Sequence, residues 1–545
     1  MSEKPRLLVL YGSQTYTAQE IAERIWRTTK VLGFGGPVQA MDEYPINRLI
    51  KEEFAIFVCA TSGQGDEPDN MKRFWKFLLR KNLPSNSLVK LKYGVLGLGD
   101  SSYLKFNFAG KKLHKRLMQL GATPLIDIGL CDYQHDLGHD AVMAPWLKEY
   151  LTILKQYYPH IQTDNIKTTF IPRWKVSLEK CEEKSTSDGL TDDIYFAKGV
   201  KDCFVDAMLF EVERNVRTTA ETHFQVNMPV PTFLKQPHTI YEIAEQYWDL
   251  RCYPTQYVFS LLAQVSDDAL ERDKCIEFSS PEGQEEWLNY SRRPKRTVLE
   301  VLHDFHKSAS KLSLEVLFEL FSTIKPRSFS IASSSLHSQG QAIDLLVAVV
   351  QYSTKMKKPR LGLASNWLKC LEDRDKVYGW VKTGSLAFPS DIVSINTPLI
   401  LIGPGTGLAP FRSLLQEREE LQTANKDVLH MVFGCRYKDK DFHCREELER
   451  MESENKLTLF CAFSRDQDKK IYVQHKISEH ADLHWKLISN KAYIYISGNA
   501  KNMPDNVRDA FIEDVFCKVG GHSMEDAKSL LKKMEDEGRF QVEAW

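Results

Sequence analysis

The amino-acid sequence predicts a multidomain α/β protein, with two parallel sheets wrapped by helices towards the two ends of the chain and a small β-barrel carrying a helical insertion between them. Three observations predict it. Apolar runs of strand length alternate with helical stretches over residues 1–157, and the rhythm returns after Asn396. Short strand-like runs dominate residues 170–392, interrupted by a helical block over 233–320. The 545 residues leave room for three or four domains with full cores. The expected organisation is therefore 1–157, a polar linker at 158–169, 170–392 and 393–545.

Composition narrows the function. A hydrophobic fraction of 43% and a charged fraction of 27% belong to a soluble globular chain rather than a disordered one. Lys+Arg 72 against Asp+Glu 73 leaves a net charge of -1, so neither nucleic acid nor an anionic membrane is an expected partner. The chain begins almost directly on the strand-like run Leu7–Leu10, and neither a signal peptide nor a membrane anchor is expected. The longest apolar run, Leu345–Val350, is too short to cross a bilayer and reads as a buried strand. The 11 cysteines are scattered, with no C-x-x-C pair. That pattern argues against a metal or a disulfide framework and fits the cytoplasm. A monomer is expected.

Leu7–Tyr11, Phe54–Ala60, Tyr93–Leu98 and Pro124–Ile128 read as buried parallel strands. Ligands of such sheets gather at loops beyond the carboxyl ends of the strands, which puts the four following loops on one edge. The first, Gly12-Ser13-Gln14-Thr15-Tyr16-Thr17-Ala18, leads into a helix. Its hydroxyls and free backbone N–H groups can cradle a terminal phosphate, and the lack of a lysine argues against a nucleoside triphosphate. The second, Ala60-Thr61-Ser62-Gly63-Gln64-Gly65-Asp66, can bring amides against a flat heterocycle. Leu98-Gly99-Asp100-Ser101-Ser102-Tyr103 offers an aromatic plate, and Asp132 follows the last strand.

These loops resemble those of flavodoxin-like FMN domains, specifically the ones in diflavin reductases. The resemblance implies FMN held by Ser13, Gln14, Thr15, Tyr16, Thr17 and Ala18, then by Ala60, Thr61, Ser62 and Gly63. It further implies Leu98, Gly99, Asp100, Ser101, Ser102, Tyr103, Leu104, Lys105, Phe106 and Asn107, with Tyr103 stacked on the ring, and Asp132 at the flavin or ribityl edge. The family has glycine where this chain has Tyr16, and a tyrosine there is strained if the turn keeps its path.

In the middle segment, Lys325-Pro326-Arg327-Ser328-Phe329-Ser330 resembles the Arg-x-(Tyr/Phe)-Ser signature of ferredoxin–NADP reductase-like FAD domains. Arg327 can pair bidentately with a pyrophosphate, Phe329 can lie on the isoalloxazine, and Ser330 can hydrogen-bond near its reactive nitrogen. By the same resemblance, Gly362, Leu363, Ala364 and Ser365 form a second pyrophosphate loop at a helix start, Ser328 belongs to the signature, and Lys295 stands where relatives place an arginine near FAD. The first barrel strands, expected over 200–233, form a short segment without the family's usual Gly-Asp and Pro-x-Asn.

After the strand Leu399–Ile402, Gly403-Pro404-Gly405-Thr406-Gly407-Leu408-Ala409-Pro410 leads into a helix, with strands Val428–Phe433 and Tyr493–Ile496 to follow. Glycines let the backbone close on a pyrophosphate, and Pro410 suits a first helical turn. Ser464, Arg465 and Lys470 offer a hydroxyl, a guanidinium and an ammonium to a 2′-phosphate, while Tyr472 can stack on adenine. NADPH is therefore expected over NADH. The order of motifs resembles the reductase NADP domain, which implies contacts from Thr406, Ile471, Val473, Gln474 and Asn506. It also implies a C-terminal aromatic, Trp545, covering the FAD ring, with Ser330, Ser497 and Glu543 around the hydride transfer.

Across nearly the whole chain the resemblance is closest to the diflavin oxidoreductases of cytosolic iron–sulfur assembly. It implies FMN, FAD and NADPH as cofactors and an anamorsin-type iron–sulfur protein as electron acceptor. Two alternatives remain: a cytochrome reductase-like enzyme with another acceptor, or a flavin-poor interaction protein with a shortened barrel.

Overall fold

The computed structural model describes residues 5–63, 65–103, 105–159, 238–372, 375, 377 and 379–545. They gather into two compact units, Met1–Pro326 with Val350–Val381, and Arg327–Val349 with Lys382–Trp545. Among the described residues, no helix is long and apolar enough to cross a membrane.

The first unit is built on a parallel sheet. Its strands are β1 (Leu8–Gly12), β2 (Val38–Ala40), β3 (Phe54–Ala60), β4 (Lys92–Gly99), β5 (Thr123–Pro124) and β6 (Gly129–Asp132). The spatial order is β2-β1-β3-β4-β5, with β6 also pairing β4. Lys92 and Tyr93 pair with Thr123 and Pro124, and Leu96–Gly99 pair with Gly129–Asp132, so β5 and β6 are two pieces of one interrupted edge strand. This moves the fourth expected strand. Residues 125–128, all but the first residue of the expected strand, lie between the two pieces, and the ladder resumes at Gly129. Leu125 still donates its N–H to Tyr93 O of β4 at 2.8 Å, and Leu125, Ile126 and Ile128 pack against the sheet's cores.

Helices cover the sheet because their apolar positions recur with helical spacing. In α1 (Thr17–Val31), Ala18, Ile21, Ala22, Ile25 and Trp26 are buried, a stripe of i, i+3, i+4, i+7 and i+8. α2 (Lys72–Leu78), α3 (Phe108–Gln119) and α4 (Asp140–Tyr157) complete the layer. Tyr158 follows α4 and packs edge-on against Phe34 and Phe54. The remainder of the expected linker, from residue 160, lies outside the described residues.

A helical block belongs to the same unit: α5 (Gln256–Val265), α6 (Ala269–Ser279), α7 (Val298–Asp304) and α8 (Leu314–Leu320). Its core is aromatic, with Phe259, Phe278, Tyr290 and Phe305 in mutual ring contact. Thr297 and Glu300 form a capping box at the start of α7. The Glu300 carboxylate also accepts a fork of hydrogen bonds from Arg360, at 2.9 and 2.8 Å. α1 docks on this block through a buried ion pair, Arg27 to Glu319, at 3.1 Å.

The segment expected to be a barrel contributes, among the described residues, the antiparallel pair β7 (Gln351–Tyr352) and β8 (Arg360–Leu361) with a few isolated bridges. The first strands expected at 200–233 lie outside the described residues. Leu345–Val350 is not the buried strand its apolar run suggested. Leu345 makes one bridge to Ile331, and Leu345, Val349 and Val350 are exposed. An apolar run is buried only where neighbouring strands cover it, and no ladder among the described residues does so here.

The second unit holds a parallel sheet ordered β11-β10-β9-β12-β13. The strands are β9 (Leu399–Ile402), β10 (Leu429–Cys435), β11 (Thr458–Phe463), β12 (Tyr493–Gly498) and β13 (Phe540–Ala544). β9, β10 and β12 are largely buried runs, as strands covered on both faces require, while the edge strand β11 buries only Phe460 and Ala462. α10 (Ala409–Glu420), α11 (Arg445–Ser453), α12 (Val473–Glu479), α13 (Ala481–Ser489), α14 (Met503–Ala510) and α15 (Met524–Asp536) wrap it. The chain's last residues are a paired edge strand rather than a frayed tail.

Candidate functional site

Strand register decides which loops meet. In the first sheet Gly12 pairs with Cys59, Ala60 with Leu98, and Gly99 with Asp132, so all four carboxyl ends stop at one level. The loops are tied to one another. Thr61 N–H donates to Leu98 O at 2.9 Å, and Ser101 N–H donates to Asp132 Oδ1 at 2.9 Å. Burial pulls the Asp132 carboxyl up, but hydrogen bonds from Ser101 and from the Gln134 backbone outweigh it and hold it below its ordinary value. Tyr103 is half-buried beside this edge. Lys105 and Phe106 follow it, while Leu104 lies outside the described residues.

The loop 12–18, expected to hold a phosphate, is braced by residues that motif reading missed. Ser13 N–H donates to Asn70 Oδ1 at 2.8 Å, and the Gln14 side chain exchanges hydrogen bonds with Asp69, at 2.7 and 3.0 Å. Both partners lie 55 or more residues away, in a short turn with no spacing signature. Ser13 Oγ is inaccessible and has no hydrogen-bond partner. Thr15 is exposed at the mouth of the loop, and Ala18 is buried in the first turn of α1. A helix start with an unsatisfied hydroxyl suits a phosphate. Asn107 differs from its neighbours: it is wholly buried, and its side chain donates to Cys131 O at 3.0 Å. Gly99 makes room for it, since a Cβ there would lie 2.8 Å from Asn107 Oδ1.

Tyr16 keeps the glycine-like path of the turn, at φ 63° and ψ -13°. The strain expected from the sequence is therefore present before any ligand binds, and its relief should appear as stability. Tyr16→Gly is expected to be more stable than Tyr16→Ala by about 1 kcal/mol, because both variants lose the ring and only alanine keeps the left-handed penalty. Urea unfolding of the two variants measures this. Equal midpoints would show that the turn stores no strain.

In the second sheet, Ile402 pairs with both Val432 and Ile496, Cys435 with Phe463, and Ser497 with Glu543. The carboxyl edge therefore gathers the glycine turn Gly403–Gly407, the β10–α11 loop, Ser464–Arg465 and the end of β12. Thr406 lies within the turn, half-buried. Ser464 and Arg465 donate backbone N–H groups to Cys435 and Arg436, both at 2.9 Å, which puts the Arg436 and Arg465 segments side by side. Lys470 is exposed, and Tyr472 caps α12 with its ring stacked on His475. His475, which carries no motif signal, also accepts the Tyr472 N–H at Nδ1. Ile471, Val473 and Gln474 form the entry to α12, and Val473 is buried in the core. Asn506 is exposed on α14.

Ser497 is wholly buried at the end of β12, and its Oγ has no partner. Beside it, Glu543 accepts a hydrogen bond from Ser385 Oγ at 2.6 Å. Trp545 donates its N–H to Gly498 O at 3.0 Å and leaves its indole half-exposed. Strand pairing, which the residue pattern of the tail does not announce, fixes the position of this residue.

The residues expected at FAD divide between the units. Arg327, Ser328, Phe329 and Ser330 belong to the second. The segment just after them is pinned to α10: Arg412 donates to Ala332 O at 2.8 Å and Ser413 Oγ to Ser333 O at 3.0 Å. Lys295 and Gly362–Ser365 belong to the first unit. Gly362 caps helix α9 (Leu363–Lys369), and Ser365 Oγ accepts the Val350 N–H at 3.0 Å. Lys295 has φ 57°, and its ammonium lies 5.6 Å from the Tyr253 ring centre.

Comparison with known proteins agrees with the order of these parts. Residues 9–146 match the family model Flavodoxin, 205–367 match FAD binding domain, and 401–509 match Oxidoreductase NAD-binding domain. Proteins called NADPH-dependent diflavin oxidoreductase 1 are 42% identical in Danio rerio and 42% in Xenopus laevis, with 99% of each chain covered. The Arabidopsis thaliana protein of that name is 34% identical over 100% of both chains. FMN, FAD and NADPH are accordingly the cofactors, and the protein is an oxidoreductase that passes electrons to an acceptor. Matched along its whole length at this identity, the chain belongs to the NADPH-dependent diflavin oxidoreductase 1 family.

Proposed function

We propose that this diflavin oxidoreductase delivers electrons from NADPH to an anamorsin-type iron–sulfur protein, in the cytoplasm and in the service of iron–sulfur cluster assembly. The observation that carries the reading is the pairing of two parallel sheets in one chain, one ending in a hydroxyl-rich phosphate loop and the other in a glycine turn beside Ser464 and Arg465. Bound flavins accept a hydride as an electron pair and release electrons singly, the exchange an iron–sulfur acceptor requires. The free state of every described cysteine suits a reducing compartment.

Roles follow for this chain's own residues. The loops 13–18, 60–63 and 98–107, with Asp132, hold FMN. Arg327 to Ser330, Gly362 to Ser365 and Lys295 hold FAD. Thr406, Ser464, Arg465, Lys470 to Gln474 and Asn506 hold NADPH, the cations reading its 2′-phosphate. Ser330, Ser497 and Glu543 orient the nicotinamide, and Trp545 shields the FAD ring until nicotinamide enters. Domain limits at 1–157, 170–392 and 393–545 accommodate these sets.

Two measurements test the proposal. Arg465→Ala is expected to weaken NADPH binding roughly tenfold while leaving NADH little changed, since only the 2′-phosphate uses the guanidinium. Equal losses for both would make Arg465 structural. Purified enzyme with NADPH should reduce an anamorsin-type iron–sulfur protein. Failure to do so, with flavin reduction intact, would redirect the search for the acceptor.

A further inference from the structure

The phosphate loop 12–18 carries no cation of its own. Two acidic groups stand at it: Glu20 in the first turn of α1, and Asp69 on Gln14. Lys72, the cation next to Asp69, is engaged with that carboxylate at 2.6 Å. A phosphomonoester brings roughly 1.5 to 2 negative charges at neutral pH. Hydroxyls and amides alone would have to hold it against the carboxylates.

A cation arrives from a distant part of the sequence. Lys325 Nζ lies 2.9 Å from Thr17 Oγ1, across 308 residues of sequence. The same ammonium is 3.9 Å from Glu20 Oε2. Its backbone is anchored to the helical block: Ile324 N–H donates to Tyr247 O at 2.8 Å, and Thr323 bridges Trp248. The position of α1 against that block is fixed next to it. Arg27 pairs with Glu319 in full burial, and the Arg24 guanidinium lies 4.6 Å above the Tyr257 ring centre. Ser13 Oγ, buried and without a partner, marks the other side of the loop.

We propose that Lys325 completes the FMN phosphate site across the contact between the first sheet and the helical block, so that FMN occupancy and docking of α1 on that block strengthen each other. The inference rests on the reading of loop 12–18 as the FMN phosphate site. The ammonium already touches a hydroxyl at the helix start, so a phosphate seated there meets it after a small side-chain movement. Glu20 holds Lys325 beside the loop in the absence of the anion. Because the lysine belongs to one packed element and the loop to the other, any gain in FMN affinity from docking returns as an equal gain in docking from FMN. Undocking the first sheet from the block would then loosen the grip on the phosphate without touching the ring contacts.

The test uses the full-length chain stripped of flavin and titrated with FMN and with riboflavin, which has the same ring and no phosphate. Lys325→Met should weaken FMN about three- to tenfold, riboflavin binding should be unchanged, and Lys325→Arg should retain most of the affinity. Unchanged riboflavin binding also shows that the variant is folded. In the wild type, FMN but not riboflavin should slow amide exchange in Leu314–Leu320 and the start of α1, and Lys325→Met should remove the difference. A wild type that binds riboflavin as tightly as FMN overturns the phosphate-loop reading itself. A wild-type preference for FMN that survives Lys325→Met intact, or an equal loss for both ligands, overturns the role of Lys325 alone.

Discussion

Gly407→Ala is expected to lower kcat/KM for NADPH by about a hundredfold or more. A Cβ at this position would lie 2.0 Å from Ser497 O and 2.7 Å from Ser497 C, both backbone atoms of β12. Neither can rotate away, so the turn Gly403–Gly407 must move off the strand. A displacement near 1 Å in a binding element is enough for about a hundredfold loss of rate, and overpacking of this kind costs about 1–3 kcal/mol of stability. Gly405 supplies the control. It has φ 60° and open space where a Cβ would project, so Gly405→Ala costs only backbone strain of about 1 kcal/mol. Steady-state kinetics and urea unfolding on both variants separate the two effects. NADPH kinetics of Gly407→Ala within a few-fold of wild type would mean that the turn does not close on the cofactor.

The second large effect is expected at the docking contact of α1. Glu319→Ala leaves the Arg27 guanidinium buried with its counter-ion removed. Exposure of the two side chains is only 6% and 0%. Breaking one partner of such a pair costs about 3–5 kcal/mol, whereas replacing both by apolar groups of similar volume is close to neutral. Glu319→Leu combined with Arg27→Met should therefore recover most of what Glu319→Ala loses. Amide exchange in Thr17–Val31 and Leu314–Leu320 reads the change directly. A double variant as loosely docked as the single one would show that the contact depends on charge rather than on shape.

Pattern alone carried the parallel sheets a long way. Phe54–Ala60 and Leu399–Ile402 have the limits their apolar runs implied, because a strand covered on both faces must be apolar throughout. The loops after these strands could be placed on one edge for the same reason: parallel strands all point one way. Pattern was weaker where an element borrows its partners. The edge strand breaks into Thr123–Pro124 and Gly129–Asp132, and Leu345–Val350 stays largely unpaired, since apolar character does not say which neighbour supplies the hydrogen bonds.

What the sequence determined by itself is thus the set of local instruments: a hydroxyl-rich loop at a helix start, a glycine turn after a buried strand, and a serine–arginine pair suited to a 2′-phosphate. These are short-range features whose residue types and spacing state their chemistry. Only the tertiary structure decided the long-range ones. Asn70 braces Ser13, Glu319 receives Arg27 across 292 residues, and Lys325 reaches Thr17 across 308. Such contacts leave no periodicity behind. Each depends on two separately formed elements being packed together, and a single charged or polar residue in a strand, turn or helix looks the same whether or not a partner waits for it.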